Sequence, residues 1–401
     1  MCATIVNFIS LVVITLLSYR KAKFLSPGVI LLILYSLVSF FGILYFSDYE
    51  LSYKITFIPY IYMLVVLLIY FYPILNASKL YDSSANITIR NGIKYCILIY
   101  IICSIIHCHQ YFILLFKSLS SGSWMLLKAD AYNGDLGLSS SSFIQRISTV
   151  CVQTFMPAMM VYAFHSLTDT SKAFKYSLVL ILFAIIPDLV ISLLYVYRGG
   201  IFTISLLSLV CYMMFYKNIS IIKRRKINIC ILTATAIVLL LMLAISVSRF
   251  GEDDYSNSLV AYLGQPMLVY NAGIFNSIEN YAKGNYFFQN FTGLSRDEIW
   301  VDSRYGILTN DGGALNTFIG CSILDFGFIL TILISVLVAV VMKTVLNRNR
   351  FDFADAYMFL FYVNYLLLGV FHSTMGYCKN IIYAVILYTV LKYVNINIKM
   401  K

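Results

Sequence analysis

Four arginines, Arg198, Arg249, Arg296 and Arg304, lie on the two segments most loaded with glycines, amides and carboxylates. A guanidinium is a planar fork of donors that matches phosphate oxygens two at a time. Arg198 is followed by Gly199-Gly200, and a glycine pair lets backbone N–H groups close on an anion. Recognition of a phosphate or pyrophosphate is the chemistry this pattern fits, the competing role for Arg198 being to snorkel to lipid head groups. A hydroxyl nucleophile would need a proton acceptor as well. His372, Glu252 and Asp311 are the candidates.

Aromatic residues run through the same region, as Tyr255, Tyr281, Tyr286, Phe287, Phe288 and Phe291, ahead of Arg296, Asp297, Glu298, Trp300, Asp302, Arg304 and the turn Asn310-Asp311-Gly312-Gly313. Aromatic faces beside carboxylates, amides and arginine suit sugar rings, which have an apolar C–H face and a hydroxyl rim. They suit equally a packed loop resting on lipid. His107 and His109 flank Cys108, but on a helix the two rings point to different sides, so a metal site there is not expected. With no glycine-rich phosphate loop and lysine, no metal-ligand cluster and no nucleotide-binding domain, no cofactor is expected either. Energy and substrates must come from the membrane itself.

The elements that position these residues are membrane spans. The 401 residues are 61% hydrophobic and only 12% charged, outside the range of soluble globules, whose apolar share is about 45–50%. Apolar runs give eleven spans, at 1–18, 29–46, 55–75, 95–116, 147–164, 176–196, 201–216, 227–247, 317–342, 354–371 and 380–394. The fold class is therefore all-α, a polytopic membrane helix bundle read as a single domain over 1–401. No basic residue precedes the first span, so it reads as a retained span rather than a cleaved signal. The nine cysteines are scattered and mostly within spans, which is no disulfide framework.

Placing the N-terminus outside leaves ten basic residues on the outer side: Lys54, Lys117, Lys128, Arg146, Arg198, Arg249, Lys283, Arg296, Arg304 and Lys379. The other 19 of the 29 fall on the inner side. Short basic loops resist translocation, so the expected orientation is N-out and C-in. The net charge of +11 is then mostly inner-face anchoring, and nucleic acid is not an expected partner. Two long outer loops result, about 117–146 and 248–316. In the second, Gly264 and Pro266 interrupt the semi-apolar stretch Leu259 to Ile278, which is expected to lie on the membrane surface as short interfacial helices. Two carboxylates are counted inside spans. These are Asp188, which follows the kinking Pro187, and Asp325, expected to orient an arginine or cap a backbone break.

The long outer loop, Arg198-Gly199-Gly200 after a span, the Gly264-Gln265-Pro266 interruption, and Asn316-Thr317-Phe318-Ile319-Gly320 leading to Asp325-Phe326-Gly327 together resemble the Wzy-type polysaccharide polymerases. That family joins O-antigen and capsule repeat units at the bacterial inner membrane. It carries arginine-plus-glycine spacings in two outer loops. Arg296 and Gly312, with fifteen residues between them, fit the later-loop form; positions ten or so beyond Arg198 and Arg249 are Leu209 and Val260, so the earlier form is not found.

The resemblance implies transfer of a growing glycan from undecaprenyl pyrophosphate to a sugar hydroxyl of a new lipid-linked repeat unit, on the periplasmic face. Arg198, Arg249, His372 and Glu252 would be catalytic, and Arg296, Arg304, Asp311, Tyr255 and Asn310 would bind substrate. Membrane lipid and a polysaccharide chain-length regulator are the expected partners. A lipid-linked oligosaccharide flippase and an O-antigen ligase are the alternatives.

Overall fold

The computed structural model describes residues 1–23, 25–46, 55–75, 87, 89–120, 143–194, 198–276, 278, 281–292, 317–347, 351–371 and 378–393, with side chains except at 110, 117–120, 198, 238–239, 241–259 and 290. Among the described residues the chain is helical, with no strand. The helices are α1 (Cys2–Ala22), α2 (Pro27–Tyr45), α3 (Phe57–Leu75), α4 (Asn91–Ser120), α5 (Phe143–Ser166), α6 (Phe174–Leu194), α7 (Arg198–Phe215), α8 (Ile221–Leu268), α9 (Phe318–Leu346), α10 (Phe353–Leu368) and α11 (Cys378–Tyr393).

Among the described residues, eight helices are long and apolar enough to cross a membrane: α1 to α6, most of α7 extended to Asn218, and α9. At 1.5 Å per residue, the 21 residues of α1 extend about 31 Å, matching a hydrocarbon core of about 30 Å. The protein is thus a multi-pass helical membrane protein. These eight coincide with the first seven expected spans and the ninth, while the tenth expected span meets the shorter apolar helix α10.

Local sequence explains several helix ends and bends. Ser26 caps α2 by accepting the Val29 N–H (3.3 Å), and Pro27 takes the first helical position, where its missing N–H has no cost. Lys23 closes α1 in the left-handed region (φ 57°), with Arg20 and Lys21 in the last turn, where cations oppose the helix dipole. In α6, Pro187 cannot donate to the Phe183 carbonyl. The Tyr100 hydroxyl of α4 donates to that oxygen instead (3.2 Å).

Contacts gather the residues into two compact units, one built from 1–79, 256–348 and 362–382, the other from 80–255, 349–361 and 383–401. In the first, α1 packs on α2 and α3, and α3 packs on α9. Buried Asn7 of α1 donates to Ser39 of α2 (2.9 Å), an interhelical polar tie of the kind that holds helices together where apolar surface has no preference for protein over lipid. In the second, α4, α5 and α6 pack on one another, and α7 on α5 and α6.

The segment from Ser248 onward differs from the sequence reading. Residues 221–268 form one 48-residue helix, so Ser248 to Leu268 is helical rather than the opening of a loop. It continues into a π-helical turn, Val269–Phe275. Pro266, Met267, Leu268, Val269 and Tyr270 are buried in the first unit, packed within the protein and not laid on a membrane surface as short interfacial helices. Gly264, read as a breaker, is instead a close crossing. A Cβ there would stand 2.5 Å from the Phe41 carbonyl oxygen and 3.0 Å from the Gly42 nitrogen of α2. Small residues let helix backbones approach this far.

Asp355 is a third carboxylate within the expected spans, beyond the two counted above. At the N-terminus of α10, Asp352 accepts the Asp355 N–H (3.1 Å) and Asp355 accepts the Asp352 N–H (3.2 Å), a reciprocal cap. Lys392 of α11 bridges both carboxylates at 2.8 Å, and the Tyr388 hydroxyl donates to Asp355 (3.0 Å). Asp355 is buried because every oxygen it brings inside is matched by a donor.

Candidate functional site

The nine residues singled out from sequence fall at the edge of what is described. Arg198 is the first residue of α7, and Arg249, Glu252 and Tyr255 lie on α8; their side chains are outside the described residues. Arg296, Arg304, Asn310, Asp311 and His372 lie outside the described residues entirely. Ahead of His372, α10 ends at Leu368 and a turn continues to Phe371.

What is described in full is a construction within the first unit, around a break in α9. Gly327 has φ 77° and ψ 177°, a conformation essentially confined to glycine, inside an otherwise helical span. Breaking a helix frees carbonyls, which in a membrane must find donors within the protein. Two of those carbonyls find backbone donors in the segment 282–284. The Leu324 carbonyl accepts Ala282 N–H (2.9 Å) and the Asp325 carbonyl accepts Gly284 N–H (3.2 Å). Beyond the break, where the helix restarts, side-chain hydroxyls add to the ties: Tyr62 donates to the Phe328 carbonyl (2.6 Å) and Thr331 to the Gly327 carbonyl (2.7 Å).

Asp325 completes the arrangement. Its side chain is buried, and its two oxygens accept the N–H groups of Tyr286 (3.1 Å) and Phe287 (2.8 Å). The role is structural, as expected for Asp325, but the carboxylate holds the backbone N–H groups of a separate segment rather than those at the break in α9. The Phe287 carbonyl in turn accepts the N–H of Cys378, the first residue of α11. Residues 282–287 are therefore held from both sides. Two left-handed residues in succession, Lys283 (φ 54°) and Gly284 (φ 88°), turn the chain there.

The π-helical turn is the second anchor. Buried Asn271 grips the backbone of Thr56, accepting its N–H (3.1 Å) and donating to its carbonyl (2.8 Å), so the amide acts as a missing strand partner just ahead of α3. Tyr270 donates to the Pro59 carbonyl (2.9 Å). Phe275, Tyr62 and Phe328 meet in a ring cluster with centroids 4.5 to 5.7 Å apart. Sequence reasoning missed Asn271 and Thr56, whose partnership spans 215 residues and leaves no local signal.

In the second unit, a cavity of about 460 Å³ lies between α4 and α6, lined by Ser104, Cys108, His109, Phe183 and Pro187 among others. Asp188 follows on α6, half-buried, with Tyr100 and Cys108 as electrostatic neighbours. The His107 ring meets that of Tyr111 at 4.5 Å between centroids, tilted by 47°, and lies 3.2 Å from the Thr149 hydroxyl, a packed core histidine. Among the described residues no group of three His, Cys, Asp or Glu side chains could hold a metal. Comparison of the chain with protein-family models, with curated proteins and with solved structures finds no match.

Proposed function

We propose that the protein is a membrane glycosyltransferase of the Wzy-polymerase kind, joining undecaprenyl-pyrophosphate-linked oligosaccharide repeat units to build O-antigen or a related surface polysaccharide. In this reading it sits in the bacterial inner membrane with eleven spans, N-out and C-in. Residues 117–146 and 248–316 then belong to the periplasmic side, where a chain-length regulator could bind.

The observation that carries the reading is that α7 opens on Arg198-Gly199-Gly200. The first N–H groups of a helix have no acceptor within it and lie at the positive end of its dipole, which favours an anion. Two glycines there put no side chain beside those N–H groups, and Arg198 adds a guanidinium at the same end.

The reaction balances without a cofactor. An acceptor hydroxyl oxygen attacks the anomeric carbon of the donor glycan, and the bond from that carbon to the pyrophosphate oxygen breaks. The hydroxyl proton passes to a base, for which His372, Glu252 and Asp311 are the candidates. Undecaprenyl pyrophosphate leaves with the bonding pair, so the site needs cations at the leaving group more than a general acid. Arg198 and Arg249 supply them, with Arg296 or Arg304 as a third. Asn310 and Tyr255 contact the sugars.

The broken helix α9 favours a second reading, a flippase, because transporters bind substrates and ions at such breaks. Against it, the carbonyls of Leu324, Asp325, Gly327 and Phe328 already accept from donors within the protein. The deciding experiment substitutes Arg198 and Arg249 each by Ala and by Lys, matches membrane levels, and measures polymer formation. Loss of a donor to developing negative charge should lower the rate about 10²–10³-fold. Lysine should rescue poorly, lacking the fork. Wild-type polymerisation by both Ala variants would end the proposal.

A further inference from the structure

The segment 281–288 is built more firmly than anchoring requires. Among the described residues, other exposed aromatic side chains ride on the spans themselves, as Phe57 does on α3 and Phe112 on α4. A bilayer is fluid and asks for no fixed ring position. Here a buried carboxylate, a glycine-only helix break and two successive left-handed residues are all committed to one short stretch of backbone.

Two rings are what that backbone presents. The Tyr281 ring rests on Gly327, where a Cβ would be 3.1 Å from the ring's Cζ. The Phe288 ring rests on Gly284, with a Cβ there 3.4 Å from its Cδ2. Each ring is thus seated on a glycine backbone, yet Tyr281 is 40% exposed and Phe288 44% exposed. Fixed aromatic faces left open to the outside are a preorganised surface, which lowers the ordering cost of binding. The same turn carries groups that can hydrogen-bond: Lys283, exposed, and Asn285, half-buried.

We propose that Tyr281 and Phe288 form a stacking platform for pyranose rings of the glycan, with Lys283 and Asn285 meeting their hydroxyls. This rests on the reading of the protein as an enzyme acting on glycans, and it names where the sugar, as distinct from the pyrophosphate, is held. Asp325 and Gly327 are positioning residues for the platform. Their exposure to the sugar is not required.

The test uses the full chain in nanodiscs and, as probe, the free oligosaccharide released by mild acid from the lipid-linked fraction of the source membranes. Saturation transfer from protein to sugar C–H protons is followed through a titration. Tyr281→Leu and Phe288→Leu keep apolar area for lipid but remove the flat face, so each should weaken binding about three- to tenfold. Tyr281→Phe and Phe288→Tyr should bind like the wild type.

Unchanged affinity in both Leu variants overturns the platform and leaves the rings as a lipid belt. Absence of binding by a wild-type protein that still extends lipid-linked units also overturns it, while the polymerase reading stands. Binding that is lost in the Leu variants of a protein unable to extend glycans supports the platform and sinks the polymerase. Thermal midpoints of the variants within the wild-type range separate loss of stacking from loss of fold.

Discussion

Replacing Gly327 by alanine should loosen the first unit locally while leaving the second intact. At φ 77° and ψ 177° an alanine pays a backbone penalty of about 1–3 kcal/mol. Its Cβ would also stand 3.1 Å from the Tyr281 ring, which would have to give by a few tenths of an ångström. Segment 282–287 depends on this break for its hydrogen bonds to Leu324 and Asp325, so strain at Gly327 favours its opening. Beneath it lies Cys321, 2% exposed, in a cluster with Ile274, Ala282, Tyr286 and Leu324. Maleimide labelling of Cys321 in a variant retaining only Cys321 and Cys211 reads that opening, because a buried thiol reacts through its open state. A shift of about 1–3 kcal/mol raises the rate roughly 5- to 150-fold. Cys211, fully buried in the second unit, serves as the reference and should keep its wild-type rate. An unchanged Cys321 rate, or an equal rise at both thiols, would refute the reasoning.

Gly264→Ala should destabilise by about 1–3 kcal/mol, because its Cβ meets α2 backbone that no rotamer change can relieve. Gly42→Ala, whose nearest contact would be 3.4 Å, should cost less; equal thermal midpoints for the two would count against the crossing. Lys392→Met strands the fully buried Asp355 and should cost about 3–5 kcal/mol, whereas Asp352→Asn, at a carboxylate 30% exposed, should cost under about 1 kcal/mol. Denaturation of the two variants in one detergent checks that order. Reporter fusions at Ser256 and Arg225 should give periplasmic and cytoplasmic signals respectively, and a cytoplasmic signal at Ser256 would overturn the outward placement of the arginines.

The helices α1 to α7 and α9 were legible because each is an apolar run of about membrane thickness, a signal carried by every residue in it. The region after Ser248 was not, for a definite reason. Gly264 and Pro266 have helix-breaking tendencies, and nothing nearby shows that Gly264 faces the Gly42 backbone, 222 positions earlier in sequence. Tertiary contact overrode local preference there. Asp325 was legible in kind, since an acid within a span needs partners. That those partners are the backbone N–H groups of Tyr286 and Phe287 could not be read, because any residue carries an N–H. Asp355 could have been found from Asp352-x-x-Asp355 ahead of an apolar run, the spacing of a reciprocal cap. For the arginines, sequence gave residue type and spacing, and the structure adds the helix end at Arg198.

The proposed activity is transfer of glycan between lipid carriers, which reconstitution reads out. Purified protein in liposomes, supplied with lipid-linked repeat units and nothing else, should produce a ladder of lengthened glycans and release one undecaprenyl pyrophosphate per bond formed. Movement of the units across the bilayer without lengthening would contradict the account.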